Sequence, residues 1–216
     1  MLERFTWFKQ AAYRWDGDGV TVYIDPWGIP ENAPPADVVF ITHAHFDHFV
    51  MEDIDRIRAD RTVFVAPRDV AAELSGEVTA VAPGDAIDVA GIRGEAVPAY
   101  NTIEGRTENH PQRNGWVGYV LDLGGTRYYH AGDTDHLPEL EGISAQVTFL
   151  PIGGAGYTMD GREAAALAKA IAPEVAVPMH YGFVEGCHAA DETKVFRTEA
   201  NPVRVEILEP LAPFEF

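Results

Sequence analysis

The stretch "DVVFITHAHFDHF", residues 37–49, changes character in the middle. Its first half is a short, continuously apolar run, the pattern of a strand buried on both faces. The run ends at Thr42, and His43, His45, Asp47 and His48 follow within six positions, using three of the chain's eight histidines. A loop just beyond a buried strand displays side chains on a rigid base. Three imidazole nitrogens and a carboxylate are the mixed donors that borderline divalent cations prefer. Four side chains so close in sequence cannot readily surround one ion at tetrahedral angles. Two adjacent ions suit them better, with His43 and His45 on one and Asp47 and His48 on the other. A chance H-x-H-x-D-H at this chain's residue frequencies has odds on the order of one in a thousand.

Two ions need further ligands, and other strand ends offer them. "YYHAGDTD" places Asp133 just past a strand beside Gly132, where its carboxylate could bridge both ions or simply make an Asp turn. "EVAVPMH" is a second buried strand, and it ends at His180.

The rest of the chain supplies a scaffold. "RFTWF", "AAYRW" and "VTVYIDP" read as strands, with "DGDG" (16–19) as a hairpin turn. "MEDIDRIRAD" and "RDVAAEL" read as helices flanking the strand "TVFVAP". "AIDVAGIRGEAVPAYN" reads as a hairpin running into a long loop, 101–114. Strands follow at "GWVGYVLDL", "TRYYH" and "VTFLP". Asp160 and Glu163 have capping-box spacing ahead of a helix whose Ala164, Leu167, Ala168 and Ile171 share a face. A helix around "DETKVFRTEA" and the strand "VRVEILEP" close the chain. Runs of strands followed by strand–helix alternation predict helices layered outside sheets, in one domain over residues 1–216.

In this order, "THAHFDH", "YYHAGDTD", "LPIGG" and "VPMHY" resemble the metallo-β-lactamase fold superfamily. They are most similar to its branch of ascorbate-6-phosphate lactonase-like and other metal-dependent hydrolases. The resemblance implies an α+β four-layer αβ/βα sandwich with metals in a cleft at the strand ends. It also implies that His43, His45, Asp47, His48, Asp133 and His180 are metal ligands, and that Asp25, in "VYIDPW", fixes a ligand histidine from behind. The sequence departs from the pattern in two places. After "AVPAYN" the usual histidine is missing. His110, in "ENHPQ", is the candidate replacement, its alternative being an exposed loop residue; Asn101 is expected to add an amide oxygen or bind substrate. "FKQAAY" stands where many relatives carry Gly-His, and Gln10 cannot titrate there.

The expected activity is metal-dependent hydrolysis of a small ester, lactone or phosphoester. Two divalent ions, zinc before manganese or iron, would activate water, and Asp47 would orient it as the catalytic carboxylate. The glycines of "PIGGAGY", Gly154 among them, would let substrate approach the backbone or only make a turn. A non-catalytic metal-binding or sensor module of the same fold is the alternative. His130 is expected to pack rather than ligate. His136 and His188 are weaker candidates for proton donors, and Cys187 is a bystander.

Composition narrows the partners. The chain carries 34 acidic and 16 basic residues, a formal charge of −18, with lysine only at Lys9, Lys169 and Lys194. That field opposes nucleic acid and anionic membranes. It fits either adaptation to high salt or a GC-rich genome. "MLERFTWFKQ" has no apolar leader, and no window approaches about eighteen uncharged apolar residues, so a cytoplasmic protein without a membrane span is expected. A lone cysteine excludes an internal disulfide.

Overall fold

The computed structural model describes residues 1–187 and 189–216, and of 189 and 190 the backbone only. His188 therefore lies outside the described residues. The first sheet contains β1 (Phe5–Trp7), β2 (Tyr13–Gly17), β3 (Val20–Ile24), β4 (Val38–Phe40), β5 (Val63–Pro67) and β6 (Glu77–Val81), in that order. The second contains β7 (Ala86–Val89), β8 (Ile92–Pro98), β9 (Val117–Leu123), β10 (Thr126–His130), β11 (Val147–Pro151), β12 (Val175–Met179) and β13 (Arg204–Val205). Each sheet begins as an antiparallel meander and turns parallel, from β3 onward in one and from β10 onward in the other. Asp18 and Gly19, both at positive φ, close the β2–β3 hairpin with the backbone twist that two-residue turns require.

The apolar run that opens the metal-ligand candidate loop is buried on both faces, as its pattern predicts. Val38 and Phe40 join the core shared by the two sheets, whereas Val39 and Ile41 join a second core beneath helices α1 (Met51–Ile57) and α2 (Arg68–Ala71). On the far side, Ala164, Leu167 and Ala168 of α3 (Gly161–Ile171) belong to the main core, as does Phe196 of α4 (Ala189–Glu199). The order helix, sheet, sheet, helix is the expected four-layer sandwich. Asp160 caps α3: its Oδ1 accepts from the N–H groups of Arg162 and Glu163, and Glu163 accepts from the Asp160 N–H.

Two elements differ from expectation. "EVTAV" forms β6, an edge strand that buries only Val81 and so lacks the apolar signal of its neighbours. "VRVEILEP" pairs only at Arg204 and Val205. Among the described residues, no helix is long and apolar enough to cross a membrane.

Candidate metal centre

Strands β3 and β4 are parallel in one sheet and β10, β11 and β12 in the other, and loops bearing candidate ligands leave from the carboxyl ends of three of them. In open α/β sheets such strand ends are where ligands bind. His43, His45, Asp47 and His48 follow β4, Asp133 follows β10, and His180 follows β12. His110 arrives on loop 101–114, which folds back so that the Asn101 N–H bonds the His110 carbonyl at 2.8 Å. His110 is buried, not an exposed loop residue.

The donor atoms fall into overlapping sets, each with its atoms within 4.8 Å of one another. One set is His43, His45 and His110; another is Asp47, His48 and His180; a third joins His43 and His48 to Asp133. Asp133 stands between the first two. Its Oδ2 lies 3.2 Å from His110 Nε2, 3.0 Å from His180 Nε2 and 3.8 Å from His43 Nε2, and its Oδ1 lies 3.5 Å from His48 Nε2. Yet the Nε2 atoms of His48, His110 and His180 and Oδ1 of Asp133 are buried without a hydrogen-bond partner. Orphaned buried polar atoms are costly and rare. Here they crowd around the Asp133 carboxylate, which suits divalent cations.

Electrostatics agrees with that fit. Burial works to lower the His48 pKa, but Asp133, Asp47 and Asp25 outweigh it and push it up to about 10. His180 rises well above the usual value for the same reason, with Asp133 its main charged neighbour. Burial works to raise Asp47 and Asp133, but flanking imidazoles hold both below the usual carboxylate range. The two carboxylates thus call for positive charge at this place. His43 and His45 are lowered by burial and then by neighbouring imidazoles, leaving them in the neutral form that ligates metal.

A supporting layer fixes these rings. Asp25 accepts from the Thr42 N–H and hydroxyl, and its Oδ2 lies 2.7 Å from His48 Nδ1. Asn101 does not face the cavity that the candidate donors line. Its Oδ1 sits 2.7 Å from His110 Nδ1, while its amide donates to Asp135 at 3.1 Å. Asp135 in turn accepts from the Thr102 and Ile103 N–H groups and from Arg106. Trp116 packs against His43 and His45, ring centroids 5.0 Å away, and donates to Asp69. Thr42, Asp135 and Trp116 escape a reading by residue type, since none is an unusual residue for its local sequence.

The remaining candidates separate clearly. His130 is buried, with Nε2 2.9 Å from the Ala11 carbonyl and Nδ1 accepting from the Gly132 N–H, so it packs behind the Asp133 loop. His136 pairs with Glu141 at 3.0 Å. Gly154 lines a neighbouring cavity, and its N–H and carbonyl close the turn to Met159 and Tyr157. Over the donor atoms lies a cavity of about 190 Å³ walled by Phe46, Asn109, Tyr157 and Val184. A larger one, about 810 Å³, lies at the opposite strand ends around Arg93, Arg127 and Gln146, and no histidine lines it.

Residues 4–180 match the family model of the β-lactamase superfamily domain. The chain is 33% identical to the UPF0173 metal-dependent hydrolase of Methanopyrus kandleri, over 98% of this chain and 99% of that one. It belongs to the UPF0173 family of the metallo-β-lactamase superfamily. A UPF0173 metal-dependent hydrolase of Thermoplasma acidophilum is 35% identical over 84% of the chain and 80% of its own length. Among solved structures, Igni18, a metallo hydrolase from Ignicoccus hospitalis, superposes with a TM-score of 0.78 at 27% identity, covering 95% of this chain and 94% of that one. YhfI of Bacillus subtilis, a metallo-β-lactamase fold protein, reaches a TM-score of 0.70 at 13% identity, covering 94% and 89%, and shows the shared fold.

Proposed function

We infer that the chain is a metal-dependent hydrolase with a dinuclear centre, acting on a small ester, lactone or phosphoester. His43, His45 and His110 would hold one ion, Asp47, His48 and His180 would hold the other, and Asp133 would serve beside both. The observation that carries this reading is the convergence of three buried, unpartnered imidazole nitrogens on Asp133, whose own Oδ1 is also unpartnered. Zinc is the first choice for imidazole and carboxylate donors, with manganese or iron compatible.

Bound divalent ions supply Lewis acidity and lower the pKa of coordinated water. The protein's own groups do the rest. Asp47 lines the cavity and remains ionised because His48 and His180 flank it, so it orients the attacking water and accepts its proton. Asn101 and Asp25 keep His110 and His48 turned so that each Nε2 faces inward. Phe46 and Tyr157 supply apolar wall to the cavity over the reacting centre. The cavity is below the roughly 300–1,000 Å³ of drug-sized sites, which favours a small molecule. Charge disfavours nucleic acid, and the family resemblance puts lactones ahead of phosphodiesters.

The test is turnover of aryl esters, lactones and bis-aryl phosphodiesters by metal-reconstituted protein, with the His45→Ala, Asp47→Ala double variant as control. Loss of activity by about 1,000-fold or more is expected, the scale seen when a catalytic constellation is removed. Equal rates in the two proteins would leave only a metal-binding module.

A further inference from the structure

Gln10 lies in the tight turn between β1 and β2, fully buried, at a φ of +41°, a conformation that disfavours most side chains. Its backbone carbonyl accepts from the His180 N–H at 3.0 Å and from the Trp7 indole at 2.9 Å. Its side-chain amide reaches the same histidine: Nε2 lies 3.3 Å from His180 Nδ1. His180 also has a positive φ, +60°. Opposite it, a methyl added to Gly153 would come within 2.4 Å of the His180 carbonyl. Two strained residues from distant parts of the chain are therefore locked together, with no room behind them. The remaining amide atom, Gln10 Oε1, is buried and has no partner.

These facts combine with the chemistry of ligation. A histidine that binds a metal through Nε2 carries its proton on Nδ1, and that proton needs an acceptor. Beside the His180 ring stand the Gln10 amide, at Nδ1, and the Cys187 thiol. A thiol is a weak acceptor and an amide carbonyl a good one. Which amide atom faces the ring is set by the network, because oxygen and nitrogen exchange by a half-turn about χ3. The half-turn gives the orphaned Oε1 the proton of Nδ1.

We propose that Gln10 is a positioning residue whose side-chain carbonyl accepts the Nδ1 proton of His180, holding the Nε2 lone pair towards Asp47 and Asp133. The proposal rests on the reading of His180 as a metal ligand. It assigns a task to a residue that no titration could have revealed, since an amide carries out the task without changing charge.

Zinc affinity, measured by chelator competition on the full-length protein, tests it. Gln10→Ala should weaken one bound ion by about 10–100-fold, the usual cost of losing such a partner. Gln10→Glu, which keeps an acceptor at the same place, should stay within about threefold of the parent, and Cys187→Ser within about twofold. Long-range proton–nitrogen correlation spectra of the zinc-loaded parent should show His180 protonated at Nδ1. That spectrum and Gln10→Glu decide the matter even if Gln10→Ala does not fold. Parent-like affinity in Gln10→Ala, a Gln10→Glu as weak as Gln10→Ala, or an unprotonated Nδ1 would each overturn the proposal while leaving the metal centre intact. A parent that binds no metal at all would overturn the metal centre, and this proposal with it.

Discussion

Asp25 shows how much a single residue contributes behind the donor atoms. Fully buried at a φ of +47°, it is the partner of the Thr42 N–H, the Thr42 hydroxyl and His48 Nδ1. Asp25→Ala strands the Thr42 N–H, leaves His48 Nδ1 only the Thr42 hydroxyl at 3.4 Å, and leaves that hydroxyl only imidazole partners, and each buried group so weakened costs about 1–3 kcal/mol. A loss of about 3 kcal/mol in urea unfolding of the metal-free protein is expected; a loss below about 1 kcal/mol would mean that water replaces the carboxylate. The role of Asp25 was available from the sequence only through family resemblance, because nothing in "VYIDPW" says which loop its carboxylate meets. His43, His45, Asp47 and His48 were legible directly, since their spacing confines them to one short loop. His110 and Asn101 were legible only as separate candidates, not as a pair. Their pairing depends on how loop 101–114 returns, and Arg106 fastens that loop to Asp135 and Glu163.

Helix α3 and the turn before it carry the predictions at the scale of elements. Removing the cap with Asp160→Ala leaves the Arg162 and Glu163 N–H groups unpaired and should cost about 1 kcal/mol in chemical denaturation. An unchanged midpoint would show that solvent satisfies both groups. Gly153→Ala has a different cause and a larger effect. The added methyl has no space against the His180 carbonyl, and the strand end must shift. Zinc affinity should fall together with the melting temperature. A variant that melts early but binds zinc like the parent would separate the turn from the metal centre. The caps and periodicities of the long elements were readable because they depend on neighbours three or four residues away. Edge strand β6 was not, because pairing with β5, rather than its own apolar pattern, makes it a strand.

At the scale of the whole molecule, charge and burial set two responses. With a formal charge of −18, self-repulsion opposes the compact state, and screening by salt relieves it. Thermal stability should rise with potassium chloride; a flat profile would assign the acidic composition to genome bias. Alkali acts through tyrosine. Burial raises the phenol pKa of Tyr13, Tyr119, Tyr129 and Tyr181. A raised folded-state pKa contributes stability that is complete below the unfolded value, about 10, and is lost as pH climbs above it. Ultraviolet titration should therefore show these phenols ionising only as the chain unfolds; early, independent ionisation would contradict their burial. The sequence carries no detectable repeat, yet both sheets run from an antiparallel meander into parallel strands. That likeness is one of path, which residue types do not record. By itself, the sequence determined the kind of chemistry, the loop that bears most of it and the layered class of the fold. Those depend on residue type and short-range periodicity. Only the tertiary structure decided that Asp133 stands between two sets of donors, that Asn101 backs His110, and that Gln10 reaches His180. The physical reason is that apolar burial drives the sheets together without direction. Which strand ends then face one another is settled by the packing of side chains far apart in sequence.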